Sequence, residues 1–340
     1  MTSAPVPLSV LDLAPVGADS SPAEALRDSV RLAREVEALG YHRYWFAEHH
    51  NVASVASCSP AVLIAAVAGV TTTLRVGSGG VMLPNHPPLV VAEQFGTLEA
   101  LHPGRIDLGI GRAPAADPAT GAALRRPEVE DFPAQLGELL RNFGDRRGGD
   151  GERVVSAVPA RDSRPQPWLL GVSRRSAALA GMLGLPFAYA HHINPQHARP
   201  SLEVYRSAFR STGLLPAPRT VISVGAVCAE TDEAARRLAA PASLLYVRLR
   251  NGDRDRPLPS PQEAADYPYT ADDLALVAQQ SAARFVGSPE TVRAGLDQLI
   301  ATSGADELMV TTQVAGHEDR LRSYGLLAEA FALDRAAVTV

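Results

Sequence analysis

The chain contains no lysine; all 32 of its basic residues are arginine. That absence excludes chemistry. Schiff-base aldolases and pyridoxal phosphate enzymes need a lysine amine, and a Walker phosphate loop needs its Lys-Ser/Thr end. Cysteine is nearly as scarce. Cys58 and Cys228 lie far apart in the chain, which offers neither a disulfide framework nor a zinc knuckle and fits a reduced, cytoplasmic setting. No apolar run reaches the roughly 18 residues of a membrane span. The opening MTSAPVPLSVLDL lacks the basic and long apolar regions of a secretory signal. Net charge is −5 with no basic run, so neither nucleic acid nor an acidic membrane is expected as a partner.

What is present is alternation. Apolar, β-branched runs at 7–16, 41–49, 74–83, 105–113, 168–173, 186–193, 219–230 and 306–314 read as strands of the kind buried on both faces. Amphipathic segments at 21–40, 59–71, 87–104, 127–144, 174–184, 198–212, 231–249, 271–283, 288–303 and 317–331 read as helices. Ser21, Pro22, Glu24 and Gly40 mark the ends of the first one. Eight strands in 340 residues favour an α/β fold, a (β/α)8 TIM barrel forming one domain over 1–340. A doubly wound sheet is the other fit, but no GxGxxG follows the first strand. Insertions near 113–127, 145–165 and 250–285 fall in loops at the C-terminal face. The helix at 59–71 is apolar all round, so it lies deep or meets a second subunit; a homodimer is expected.

A barrel puts its active site at the C-terminal ends of the strands. That filter selects Asp12, Glu48, His49, His50, Asn51, residues 79–86, 109–112, 171–176 and 191–194, and Gln313. Histidines occur as adjacent pairs, 49–50 and 191–192. Neighbours on a strand face opposite ways, so each pair supplies one ring to a pocket, which disfavours a metal; rings that merely cap strand ends are the bland alternative. Gly79 and Gly80 end a strand in SGGVMLPNHPP, where a backbone can approach a flat ligand. Arg112 follows a strand end, where an arginine clamps phosphate. Ser173 and Ser176, in GVSRRSA, open a helix whose N-terminal N–H groups suit an anion. Together they point to a phosphorylated ligand. The loop at 250–285, with Tyr267 and Tyr269, reads as a cover for the site or as a solvated connector.

AEHHN, SGGVMLPNHPP, EQFGTLEALHPGRIDLGIGRAP, the serine turn, and GSPETV with DELMVTT, in that order along the chain, resemble the bacterial luciferase-like flavin-dependent monooxygenases. The resemblance implies a (β/α)8 barrel taking reduced FMN, as a diffusible cosubstrate, from a separate flavin reductase. With O2 this forms a C4a-(hydro)peroxyflavin that oxidises a small-molecule substrate, in some members within natural-product biosynthesis. It implies a catalytic role for His49, a non-proline cis peptide beneath the flavin ring at Gly79–Gly80, and phosphate contacts from Arg112, Ser173 and Ser176. Two positions depart from luciferase itself: Val172 stands for a glutamate and Gly111 for a reactive cysteine. A deazaflavin-dependent hydride-transfer enzyme, a metal-dependent hydrolase and a non-catalytic flavin-binding protein stay open as alternatives.

Overall fold

A computed structural model describes residues 6–112, 117–125, 131–143 and 155–334. Eight parallel strand positions close into a barrel. They are β1 (Leu8–Asp12), β2 (Arg43–Phe46), β3 (Arg75–Ser78) continued by β4 (Val81–Met82), β5 (Ile106–Gly111), β6 (Gln166–Gly171), β7 (Phe187–Ala190), β8 (Thr220–Cys228) and, after a further strand β9 (Arg284–Gly287), β10 (Glu307–Thr311). Pairing of β10 with both β8 and β1 closes the ring. Of the expected insertions, 113–116, 126–130 and 144–154 lie outside the described residues.

Helices α1 (Pro22–Ala38), α2 (Pro60–Ala68) and α3 (Pro88–Leu101) cover the early strands. Next come α4 (Pro118–Ala123), α5 (Phe132–Asn142), α6 (Arg174–Met182) and α7 (Ala198–Ala208). The last are α8 (Asp232–Arg250), α9 (Pro261–Asp266), α10 (Ala271–Ser281), α11 (Pro289–Ser303) and α12 (His317–Ala330). The capping box read at Ser21 and Glu24 forms as expected. Among the described residues no helix is long and apolar enough to cross a membrane. Both cysteines are free thiols.

Strand alternation divides the apolar residues into two cores. Leu8, Val10, Tyr44, Phe46, Phe187 and Tyr189 face the helices. Leu11, Trp45, Trp168, Ala188, Val221 and Met309 fill the barrel, with Trp45 and Trp168 meeting edge to face at 5.5 Å. Below them the barrel is ionic. Arg43, 1% exposed, donates Nη1 to Asp107 Oδ2 and Nε to Glu307 Oε1, both at 2.7 Å. Arg75 Nη2 joins Asp107 at 2.6 Å, Trp45 Nε1 donates to it at 3.0 Å, and Ser9 Oγ donates to Glu307 at 2.5 Å. Burial alone would raise the Asp107 carboxyl, but Arg43 and Arg75 hold it below its ordinary range. These bonds join β1, β2, β3, β5 and β10 through side chains alone.

Three expectations need correction. The segment 284–287 is a strand, β9, that pairs β8 at Gly225–Cys228 just beyond the stretch bonded to β7. Four residues between two helices are too few for a periodic signal. Asp12 ends β1 but points outward, where it accepts Arg320 Nη2 at 2.6 Å and Tyr44 OH at 2.5 Å. The α2 helix does not lie deep on every side: Leu63, Ile64, Val67 and Ala68 are buried, whereas Val62 is 66% exposed and Val70, in the turn after the helix, 45%.

Replacing Arg43 by Met leaves buried Asp107 with Arg75 as its one remaining cation among the described residues and buried Glu307 with only Arg219, at 3.7 Å. We expect a loss of about 3–5 kcal/mol in urea unfolding at neutral pH. The same change at Arg199, whose pair with Glu203 is exposed, should cost less than about 1 kcal/mol.

Candidate active site

The C-terminal mouth of the barrel opens into a cavity of about 1300 Å³. A single ligand pocket occupies ~300–1,000 Å³, so this one has room for two molecules. His49, Gly79, Gly80, Arg112, Ser173 and Ser176 all line it, as does Gln313. His50, Asn51, Asp12 and His191 do not. The inner apolar wall is Leu11, Trp45, Leu170 and Met309; from above, Ala242, Leu245, Tyr246 and Leu249 present one face of α8.

Alternation settles the histidine pairs. On β2 and its extension, Arg43, Trp45, Ala47 and His49 point inward, so His49 reaches the cavity. On β7 the inward phase runs Ala188, Ala190, His192; His191 turns out and stacks on Phe285 at 6.0 Å. His49 Nδ1 is buried without a partner. Burial, reinforced by His50, pulls its pKa down, with Glu48 opposing. His192 Nδ1 lies 3.1 Å from the Ser223 carbonyl. A carbonyl only accepts, so that nitrogen carries the proton. Burial outweighs this bond and lowers His192 to about 4. Both rings are neutral at pH 7.

Glu48 ties two sequence motifs together. Its carboxylate accepts His50 Nε2 and His86 Nε2 at 2.8 Å, Asn85 Nδ2 at 3.4 Å and the Met82 N–H at 2.9 Å. Burial pushes its pKa up, but these donors hold it below the ordinary value. The AEHHN segment is thereby fixed against MLPNH. The filter selected Glu48 only as a strand-end residue; apart from His50, the partners named lie 34 to 38 positions away, beyond any local spacing signal.

One rim is built for an anion. Ser173 caps α6: the Ser176 N–H donates to Ser173 Oγ and the Ser173 N–H to Ser176 Oγ, each at 3.3 Å. The remaining first-turn N–H groups have no preceding turn to bind, and Arg112 and Arg175 border the same space. Gly171 makes this possible, because a Cβ there would meet Ser176 Oγ at 2.1 Å. Beside this rim the wall is backbone. The Gly79–Gly80 peptide is cis, and a Cβ on Gly109 would meet the Ser78 carbonyl at 1.9 Å.

Among the described residues, no group of three or more His, Cys, Asp or Glu is placed to hold a metal. Tyr267 and Tyr269 do not line the cavity; they pack edge to face at 4.8 Å with Arg248 over Tyr267. The segment before them is pinned by Leu258, whose N–H donates to Val16 at 2.8 Å and whose carbonyl accepts the Ala18 N–H at 2.9 Å. From this part of the chain the cavity receives Gln280 and Arg284 instead. Sequence reading missed Arg284 because it missed β9.

A barrel whose mouth carries an open helix N-terminus beside a glycine wall suits a flat, phosphorylated ligand. The model of the luciferase-like monooxygenases matches residues 6–307, and the chain belongs to that family. It is 43% identical over 329 residues to a luciferase-like monooxygenase of Escherichia coli, covering 96% of this chain and 97% of that protein. It is 32% identical over 332 residues to an N-acetyl-S-alkylcysteine monooxygenase of Bacillus subtilis, covering 95% and 97%. The crystal structure of apo-MsnO8 superposes with TM-score 0.89 at 42% identity, covering 97% and 99%. The fold extends to a diketocamphane monooxygenase in complex with FMN (19% identity, TM-score 0.72, 96% and 97% covered). It also extends to an F420-dependent secondary alcohol dehydrogenase (15%, 0.66, 96% and 99%).

Two outcomes follow from this geometry. Gly171→Ala should displace Ser176 and weaken phosphate binding at the α6 turn by at least about tenfold (~1.4 kcal/mol), the scale of one hydrogen bond to a charged group, read by calorimetry. An unfolded chain protonates His192 below about pH 6.5, whereas the folded chain resists until about 4. The stability this supports is complete above about pH 6.5 and drains as pH falls toward 4. His192→Asn should therefore lose less urea resistance than wild type between pH 7 and 4.5.

Proposed function

We propose that this protein is an FMN-dependent monooxygenase that receives reduced FMN from a separate reductase and uses O2 to oxidise a small organic substrate. The observation that carries this reading is the pairing, in one cavity, of the Ser173–Ser176 turn and Arg112 with the glycine wall at 79–80. Family membership supports oxygen chemistry, and the B. subtilis relative is named for oxygenating a small organic molecule. The fold itself hosts both FMN and F420 enzymes; the AEHH and GGVMLPNHPP motifs favour FMN.

In this reading the α6 turn and Arg112 hold the FMN phosphate, with charge-assisted bonds from the guanidinium. Gly79 and Gly80 give the flat ring a face free of side chains. Bound reduced FMN supplies the electrons that activate O2. His49, neutral at pH 7, holds or moves a proton at the ring's edge. Leu11, Trp45, Leu170 and Met309 keep the chamber dry, which protects a reactive oxidant from water. No dinucleotide fingerprint is present in the sequence, which supports reduction of the flavin by another protein. The exposed apolar residues Val62, on α2, and Val70, in the turn after it, support a homodimer.

FMN should bind at least about tenfold tighter than riboflavin, and Arg112→Met or Ser176→Ala should erase that preference; tighter binding of F420 would replace this reading with the deazaflavin one. His49→Ala should leave FMN affinity within about threefold but lower turnover with reduced FMN by about 10²-fold or more. Because His49 titrates below its ordinary value, the acid limb of the wild-type rate profile should have its midpoint below about pH 6.5. Equilibrium sedimentation should find a dimer that Val62→Asp dissociates.

A further inference from the structure

Among the described residues three arginines line the mouth of the barrel, and two of them border the α6 turn. Arg112 and Arg175 follow β5 and β6. Arg284 enters from β9, against β8, with β7 and β8 between it and the α6 turn. Three strand spacings along the sheet separate these walls, on the order of 14 Å. The glycine wall of β3, β4 and β5 lies on the opposite side of the turn from β8. A flavin anchored at Ser173 and extending over Gly79–Gly80 therefore runs away from Arg284.

The guanidinium is poorly satisfied. Its stem lies across Gly225, where a Cβ would meet Arg284 Cγ at 3.2 Å. Nη2 donates to Gln313 Oε1 at 3.0 Å, a neutral amide. Among the described residues no carboxylate pairs with it. Glu48, the one carboxylate among the described residues of the cavity wall, is already engaged by two histidines and a backbone N–H. Nearby His192 is neutral and adds no negative charge. Burial depresses the Arg284 pKa to about 10 with nothing opposing it, so the charge persists at pH 7. A half-buried guanidinium that faces the cavity, with a neutral amide as its side-chain partner and no carboxylate beside it among the described residues, is placed to pair with an anion that enters there.

We propose that Arg284, presented with Gln313 on the β8–β9–β10 wall, is the recognition site for a carboxylate on the oxidised substrate. This rests on the flavin reading of the opposite wall. The planar fork matches a carboxylate bidentately, and the volume beyond a single ligand leaves space for its organic body. Substrates of this site are then small organic acids, oriented with the carboxylate at β9 and the reacting part toward the glycine wall and His49.

Benzoate and benzamide share shape and differ in charge, so they serve as probes, titrated by calorimetry into wild type, Arg284→Met and Arg112→Met, with and without saturating FMN. Benzoate should bind wild type about 10–100-fold tighter than benzamide, the range for a hydrogen-bonded charge, and the preference should shrink with salt. Arg284→Met should bring the two to parity while leaving FMN affinity unchanged; Arg112→Met should do the reverse. If Arg284→Met does not fold, Arg284→Gln provides the same comparison. Parity in wild type, a preference that survives loss of Arg284, or one that vanishes with Arg112 overturns the proposal. Failure of FMN to bind wild type overturns the flavin reading alone, since the benzoate preference is also read in its absence.

Discussion

The closed barrel depends on one buried cation. Arg43 sits at the centre of the strand ring with Asp107 and Glu307 on either side, and through them touches residues of five strands. Such a cluster contributes little net stability relative to apolar packing, but breaking one member strands charge in the interior. Its consequence is register. A slip of one residue in β2 would swing Arg43 into the helix-facing core and Tyr44 into the barrel. The phase it fixes also carries Trp45, Ala47 and finally His49 to the inner side.

That phase organises the mouth. The same rule selects His49 from one pair and His192 from the other, the first member in one case and the second in the other. Glu48, on the opposite phase, is freed to gather His50, Asn85, His86 and the Met82 N–H. So one strand supplies both a cavity residue and the bracket that holds the next loop in place. Around the ring, side chains give way to glycine where a flat ligand would lie and return as arginine at two separated points. The cavity is thus polarised: a helix N-terminus with two arginines on one rim, a bare glycine wall, and Arg284 on the far side with no carboxylate partner among the described residues.

Much of this was legible in the sequence. The eight barrel strands were placed within a few residues, because apolar β-branched runs flanked by capped helices are strong local signals. The six site residues carried by motif all meet in one cavity, since strand ends in a barrel converge whatever the loops do. One feature misled. Asp12 lies at a strand end but on the outward phase, where Arg320 from the last helix claims it. Tyr267 and Tyr269 read equally as a cover or a connector; they pack on each other, with Arg248 over Tyr267. Arg284 left no trace, because a four-residue strand bordered by helices has no period to read.

By itself, then, the sequence determined the alternation of strands and helices, the exclusion of lysine chemistry, and the glycine, serine and arginine positions at strand ends. These are local properties, set by side-chain period, turn residues and caps. Only the tertiary structure decided which face of each strand looks inward, which carboxylates are consumed by partners tens to hundreds of positions away, and that Arg284 reaches the cavity from the wall opposite the glycines. Those outcomes depend on pairing between distant segments. Charge balance inside a cavity is a property of everything that lines it, and no stretch of chain holds that sum.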